Sequence, residues 1–210
     1  APRRAVYGPC IRLAVDGLQG GHSGADIHLN RGNANKIMGE FMNRIQKLMP
    51  LCLTKLEGGA KDNAIPRSCQ VTLVAMGMHL ERINEITQSL QDEIRKHFDE
   101  PEAVVRGDDV EALGGNALST EDTARVIELL NAVPNGVQAW SQDIEGLVQT
   151  SLNLGILETT ESFVRMAFSD RSSVNEEKEA LLEVLRGLAK KYNAAYEESG
   201  HYPAWEYRKD

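Results

Sequence analysis

Two apolar segments of strand length, Leu51–Leu56 and Cys69–Met76, are joined by one connection, Glu57–Ser68, that carries Gly58-Gly59 and Asn63-Ala64-Ile65-Pro66. Turn residues punctuate this connection, and it is too short for the crossover helix that parallel neighbours require. The two strands are therefore expected to pair antiparallel. A second pair, Leu147–Leu157 and Ser162–Ser169, is linked by residues 158–161 alone and meets the same restriction. A doubly wound parallel sheet, which alternating strands and helices would otherwise suggest, is set aside on these grounds.

The rest of the chain fills in around that framework. Ile11, Leu13 and Val15 alternate with Arg12, Ala14 and Asp16, as a half-buried strand should, and the strand ends at Gly17. A glycine-rich stretch runs to Gly32, after which Ile37, Phe41, Ile45 and Leu48 repeat at helical spacing until Pro50. From Leu80, the positions Ile83, Ile86, Leu90, Ile94 and Phe98 keep one apolar stripe up to Pro101. Ser119-Thr120-Glu121-Asp122 reads as a capping box for a third helix, and Ser173-Val174-Asn175-Glu176 as another for a helix holding Leu181, Leu182, Leu185, Leu188 and Tyr192. Val137–Trp140 has strand character, while the acidic stretch from Asp99 to Gly115 reads as a boundary or mobile insertion. The expected fold is α+β: a mainly antiparallel sheet with helices on one face, divisible into two β-α-β-β-α-like units, 1–100 and 115–210, that share the sheet.

Composition narrows the function classes. With 210 residues, 41% hydrophobic and 26% charged, the chain can bury a core and is not expected to be disordered. Lys and Arg number 23 against 31 Asp and Glu, a net charge of −8 that is the wrong sign for neutralising phosphates, so no nucleic-acid partner is expected. No apolar run approaches the roughly 18 to 20 residues of a membrane span, and the opening residues lack a signal peptide's apolar core. Cys10, Cys52 and Cys69 are odd in number and form no C-x-x-C pair, which suits buried thiols in a reducing compartment and points to the cytoplasm. Because the chain lacks an initiator Met, it is expected to be part of a longer protein.

The densest cluster of unusual residues is Asp16-Gly17-Leu18-Gln19-Gly20-Gly21-His22-Ser23-Gly24-Ala25-Asp26-Ile27-His28. Glycines here allow close backbone approach and present His22, which can donate to a developing oxyanion or move a proton. A loop histidine that bonds its own backbone is the plainer reading. Neither G-x-x-x-x-G-K-[ST] nor G-x-G-x-x-G fits the glycine spacing, and no G-x-S-x-G elbow occurs. His22, Asp26 and His28 match no zinc spacing, and His79, His97 and His201 are scattered, so no metal site is assigned to this chain. Asn63 lies between strands with an amide that both donates and accepts, or simply forms a turn. Arg171, placed between a strand and a helix start, can fork onto a carboxylate, or pair with Asp170 or Glu176 at the surface.

Gly17 to His28, continued through Arg31-Gly32-Asn33-Ala34-Asn35-Lys36, closely resembles bacterial aminoacyl-histidine dipeptidases, carnosinase-like members of the zinc aminoacylase and carboxypeptidase superfamily. Asp62-Asn63-Ala64-Ile65-Pro66-Arg67, Thr150-Ser151-Leu152-Asn153-Leu154-Gly155 and Asp170-Arg171-Ser172-Ser173 recur in the same order, so the resemblance covers nearly the whole chain. It implies that residues 1–210 form the lid, or dimerisation domain, of a cytosolic enzyme that hydrolyses Xaa-His dipeptides. Two zinc ions would be held by a catalytic domain that is absent here, since the chain's glutamate pairs, Glu176-Glu177 and Glu197-Glu198, lack the surrounding ligand pattern. The resemblance gives His22 the role of polarising the scissile carbonyl. Asn63 would hydrogen-bond the substrate and Arg171 would clamp its terminal carboxylate, with Arg165 a rival for that last task. A dipeptide substrate and a homodimer are the implied partners, and the chain alone is expected to be inactive. The competing readings are a non-catalytic self-association module, and the lid of a related amidohydrolase acting on other dipeptides or N-acyl amino acids.

Overall fold

The computed structural model describes residues 2–77 and 79–200; His201 lies outside the described residues. In chain order the first elements are β1 (Arg4–Val6), β2 (Cys10–Asp16), β3 (Gly21–His22), α1 (Ala34–Gln46), β4 (Leu51–Gly58), β5 (Ala64–Ile65), β6 (Cys69–Ala75) and α2 (Leu80–His97). There follow β7 (Val104–Val110), β8 (Gly115–Ala117), α3 (Thr120–Ala132), β9 (Gly136–Trp140), β10 (Val148–Thr159), β11 (Val164–Ser172) and α4 (Asn175–Lys191). The fold is α+β, and every strand pairing among the described residues is antiparallel.

Among the described residues, seven strands make one sheet in the order β11-β10-β4-β6-β2-β7, with β9 also paired to β10. The short connections act as expected: β4 pairs β6 from Leu51↔Ala75 to Gly58↔Cys69, and β10 pairs β11 from Thr150↔Ser172 to Thr159↔Val164. Those two pairs meet where Leu157 and Glu158 of β10 face Gly58 and Glu57 of β4. Strand alternation sends Ile11, Leu13, Val15, Val71 and Leu73 to one face, where they are sealed by Phe41, Met42 and Ile45 of α1, Ile83 and Leu90 of α2, and Ile127 and Leu130 of α3. Cys10, Cys52 and Val74 point to the other face and are covered with Ala117 by the β1–β8 ribbon. Burying that many large aliphatic side chains, each stabilising by about 1.5–3 kcal/mol, fixes the register, because a one-residue slip would turn the whole set outward.

Three local expectations are corrected. The stretch from Asp99 to Gly115 is not a mobile insertion: Val104–Val110 pair along the full length of β2, from Asp16↔Val104 to Cys10↔Val110. Ser119 caps α3 as expected, its hydroxyl accepting from Asp122 N at 3.0 Å, but Ser173 caps nothing. Instead Ser173 N donates to Gln149 O at 3.0 Å, prolonging the β10–β11 ladder, and α4 starts after Val174 with no side-chain cap. The same lengthening carries β11 through Ser172, so Arg171 lies within a strand, opposite Ser151, rather than after it.

Candidate functional site

His22 sits on β3, a two-residue bridge whose partners are Gly21↔Ile65 and His22↔Ala64. The chain then doubles back on itself: His22 N donates to Asp26 Oδ2 at 2.8 Å, and Asp26 N donates to His22 O at 2.9 Å. Arg31 braces the turn, donating from Nη1 to Gly20 O at 2.6 Å and standing 3.8 Å from Asp26 Oδ2. His22 Nδ1 accepts from both Gly24 N and Ala25 N, each at 3.1 Å. An imidazole nitrogen that accepts two N–H bonds carries no proton, so the ring's own N–H is at Nε2. The side chain is exposed, and Nε2 has no partner among the described residues. The plainer reading, a histidine that bonds its own backbone, is therefore true of one nitrogen, and that bonding orients the other as a donor.

The Asn63 segment is attached directly to this turn, since Ser23 N donates to Asn63 O at 2.9 Å. Asn63 N in turn donates to Asp62 Oδ1 at 2.8 Å, and its exposed side chain is left available. Holding this segment is a residue to which sequence reasoning gave no role. Asn153 of β10, 1% exposed, donates through Nδ2 to Asp62 O at 2.9 Å and to Ala64 O at 2.8 Å, while its Oδ1 accepts from Asn33 Nδ2 at 3.2 Å. Asn33 also caps α1, accepting from Asn35 N at 3.0 Å and Lys36 N at 3.2 Å. Asn135 completes the network, accepting from Leu154 N at 2.8 Å and from Asn33 Nδ2 at 3.2 Å. Beside it the β10–β11 ladder is irregular between Leu154 and Ile156, and a Cβ at Gly155 would clash with the Asp62 backbone, so only glycine lets this loop lie on the sheet. The sole sequence signal for Asn153 was its place inside a motif quoted for resemblance.

Arg171 reaches the same place from β11. Its guanidinium packs on Gly24, two residues after His22, and it makes no ion pair among the described residues. Neither expected neutraliser takes it: Asp170 faces Lys178 Nζ at 3.6 Å. Arg165 begins the same strand, six residues and therefore about 20 Å away, and is already paired across the ladder with Glu158 Oε1 at 3.1 Å. The structure thus brings His22, Asn63 and Arg171 together around residues 22–24 and leaves Arg165 apart. All three are exposed. The arrangement offers one N–H donor, one amide and one cation on an open surface, which suits gripping a polar anionic ligand.

Other chemistry is poorly provided for. Among the described residues no three His, Cys, Asp or Glu side chains stand close enough together to hold a metal ion. Cys10, Cys52 and Cys69 are free and buried, and burial pushes the Cys52 and Cys69 thiols up, away from a reactive thiolate. No helix of the described residues is long and apolar enough to cross a membrane.

Residues 13–102 match the model of the peptidase dimerisation domain. Over 198 residues, 93% of this chain and 41% of the relative, the sequence is 33% identical to the cytosol non-specific dipeptidase of Escherichia coli K12. The crystal structure of aminoacylhistidine dipeptidase from Vibrio alginolyticus superposes with a TM-score of 0.89 at 34% identity, covering 98% of this chain and 43% of that one. The chain spans about two-fifths of the length of these two proteins. Residues 13–102 thus carry the peptidase dimerisation domain of the M20 family, and along nearly its whole length the chain is similar in fold and sequence to these two dipeptidases.

Proposed function

We propose that residues 1–210 form the lid and dimerisation unit of a cytoplasmic homodimeric dipeptidase that hydrolyses Xaa-His dipeptides. The observation that carries this reading is the convergence just described: an oriented imidazole N–H, an exposed amide, and a guanidinium with no ion pair among the described residues, around one turn. On this reading the zinc pair of such an enzyme would be held by a catalytic domain that residues 1–210 do not include, in keeping with the chain's spanning about two-fifths of the two dipeptidases. This chain's contribution is to grip and polarise. Nε2–H of His22 donates to the substrate's peptide carbonyl oxygen, a bond that strengthens as negative charge gathers there. Asn63 bonds the substrate backbone, and Arg171 forks onto the terminal carboxylate, fixing which peptide bond is presented.

Two measurements test this reading. The purified 210-residue chain should show no hydrolysis of an Xaa-His dipeptide, and any turnover free of contaminating enzyme would contradict it. In the whole enzyme, Arg171→Met should raise KM for a dipeptide about tenfold or more while changing KM for the corresponding dipeptide amide little. Equal effects on both substrates would remove the carboxylate clamp. One observation favours a purely assembling module: β7 closes the sheet with no strand on its outer side among the described residues, the kind of edge that a second copy can extend. That reading requires His22→Ala to disturb assembly and spare turnover.

A further inference from the structure

The turn that carries His22 is held at both ends by a single buried side chain. Glu100, 1% exposed, lies between α2 and β7; its Oε2 accepts from Gln19 N at 2.8 Å and its Oε1 from Gly32 N at 3.0 Å. Gln19 and Gly32 are the points where the glycine-rich segment leaves β2 and where it returns to α1. Neighbouring bonds stitch the same place: Asp99 N donates to Asn30 O and Asn30 Nδ2 to His97 O, both at 2.7 Å, and the Gln19 side chain donates to Asp99 O. Glu100 has no Lys or Arg partner among the described residues, so its two backbone donors are what compensate its burial. A carboxylate suits this position because it offers two acceptor oxygens at once. Glutamine would accept one N–H and turn an NH2 against the other, and aspartate is a methylene shorter.

We propose that Glu100 is the positioning residue for His22: by closing the segment from 19 to 32 on one carboxylate, it fixes where the imidazole N–H points. This rests on the reading that His22 touches substrate. The test uses the whole enzyme carrying Glu100→Gln, His22→Ala, or both. In Glu100→Gln, amide hydrogen exchange across residues 17–32 should speed about tenfold or more, with exchange in β4 and β6 unchanged. The same variant should lose about tenfold or more in kcat for an Xaa-His dipeptide with KM held within about threefold, and the double variant should be no slower than His22→Ala alone. Unchanged exchange in 17–32, or a kcat loss that multiplies in full with that of His22→Ala, would overturn the proposal. If His22→Ala leaves kcat unaltered, the catalytic reading fails separately, and the exchange result alone decides whether Glu100 holds the turn.

Discussion

The Arg171 guanidinium occupies the space into which a side chain at Gly24 would project: a Cβ there would stand 3.0 Å from Arg171 Cζ and 3.1 Å from Nη1. Gly24 is not among the residues with left-handed backbone, so Gly24→Ala strains no dihedral and acts only through that contact. Because an arginine side chain can yield, the guanidinium shifts and the fold stays intact. In the whole enzyme Gly24→Ala should therefore raise KM for dipeptides about three- to tenfold, with the melting temperature nearly unchanged. Steady-state kinetics alongside thermal melts check this, and an unaltered KM would show that Arg171 does not meet substrate.

Asn153 joins the Asn63 segment to the sheet through two donated bonds, to Asp62 O and Ala64 O. Asn153→Ala takes a donor from each of those carbonyls and should cost about 1–3 kcal/mol. Asn153→Asp should cost more at neutral pH, because it sets a carboxylate against two carbonyl oxygens. Denaturant titration orders the three proteins, and hydrogen exchange at residues 60–66 should rise in both variants. An aspartate variant as stable as wild type would contradict the assignment.

What was legible in the sequence is what short-range rules control. The antiparallel pairs followed from connections too short for a crossover, and α1 to α3 from apolar stripes that the core does use. Edge strand β7 was not legible because an edge needs little burial: in Val104–Val110 only Val105 is buried, and Arg106, Asp108 and Asp109 face solvent. The site divides along the same line. His22 stood out through its glycines, yet its placement beside Arg171 depends on β11 running on to Ser172, and the spurious Ser173 capping box hid that. Asn153 and Glu100 act through bonds spanning many tens of residues, where composition and periodicity carry no signal.

Lys36 closes the end of α3 from a neighbouring helix. Its Nζ donates to Leu130 O at 2.5 Å, Val133 O at 2.6 Å and Asn131 O at 3.4 Å, acceptors that a helix terminus leaves without intrahelical partners. Lys36→Met keeps much of the apolar stem and removes the donors, so it should destabilise by about 1–3 kcal/mol. Chemical denaturation measures this, and a loss below about 0.5 kcal/mol would mean that water replaces the ammonium without cost.

Arg44 of α1 clasps Glu93 of α2 with bonds of 2.8 and 2.7 Å, and its guanidinium holds the Glu93 carboxyl down from 4.5 to about 2. A carboxyl lowered on folding stabilises fully above its unfolded value and loses that contribution as pH falls through its folded one. The advantage of wild type over Glu93→Gln should thus be constant above pH 4.5 and fade as pH approaches about 2. Since the Glu93 side chain is 43% exposed, the advantage should stay under about 1 kcal/mol. Melting curves of both proteins over that range test it, and a difference that grows on acidification would reverse the sign.

The central claim concerns the donor at Nε2, held in place by the two N–H bonds that Nδ1 accepts. The most direct measurement is kcat of His22→Ala in the whole enzyme with an Xaa-His dipeptide, its oligomeric state determined on the same preparation. The account predicts a fall of about 10²- to 10³-fold with assembly intact. Turnover within a few-fold of wild type, or a fall seen only where assembly is lost, would contradict it.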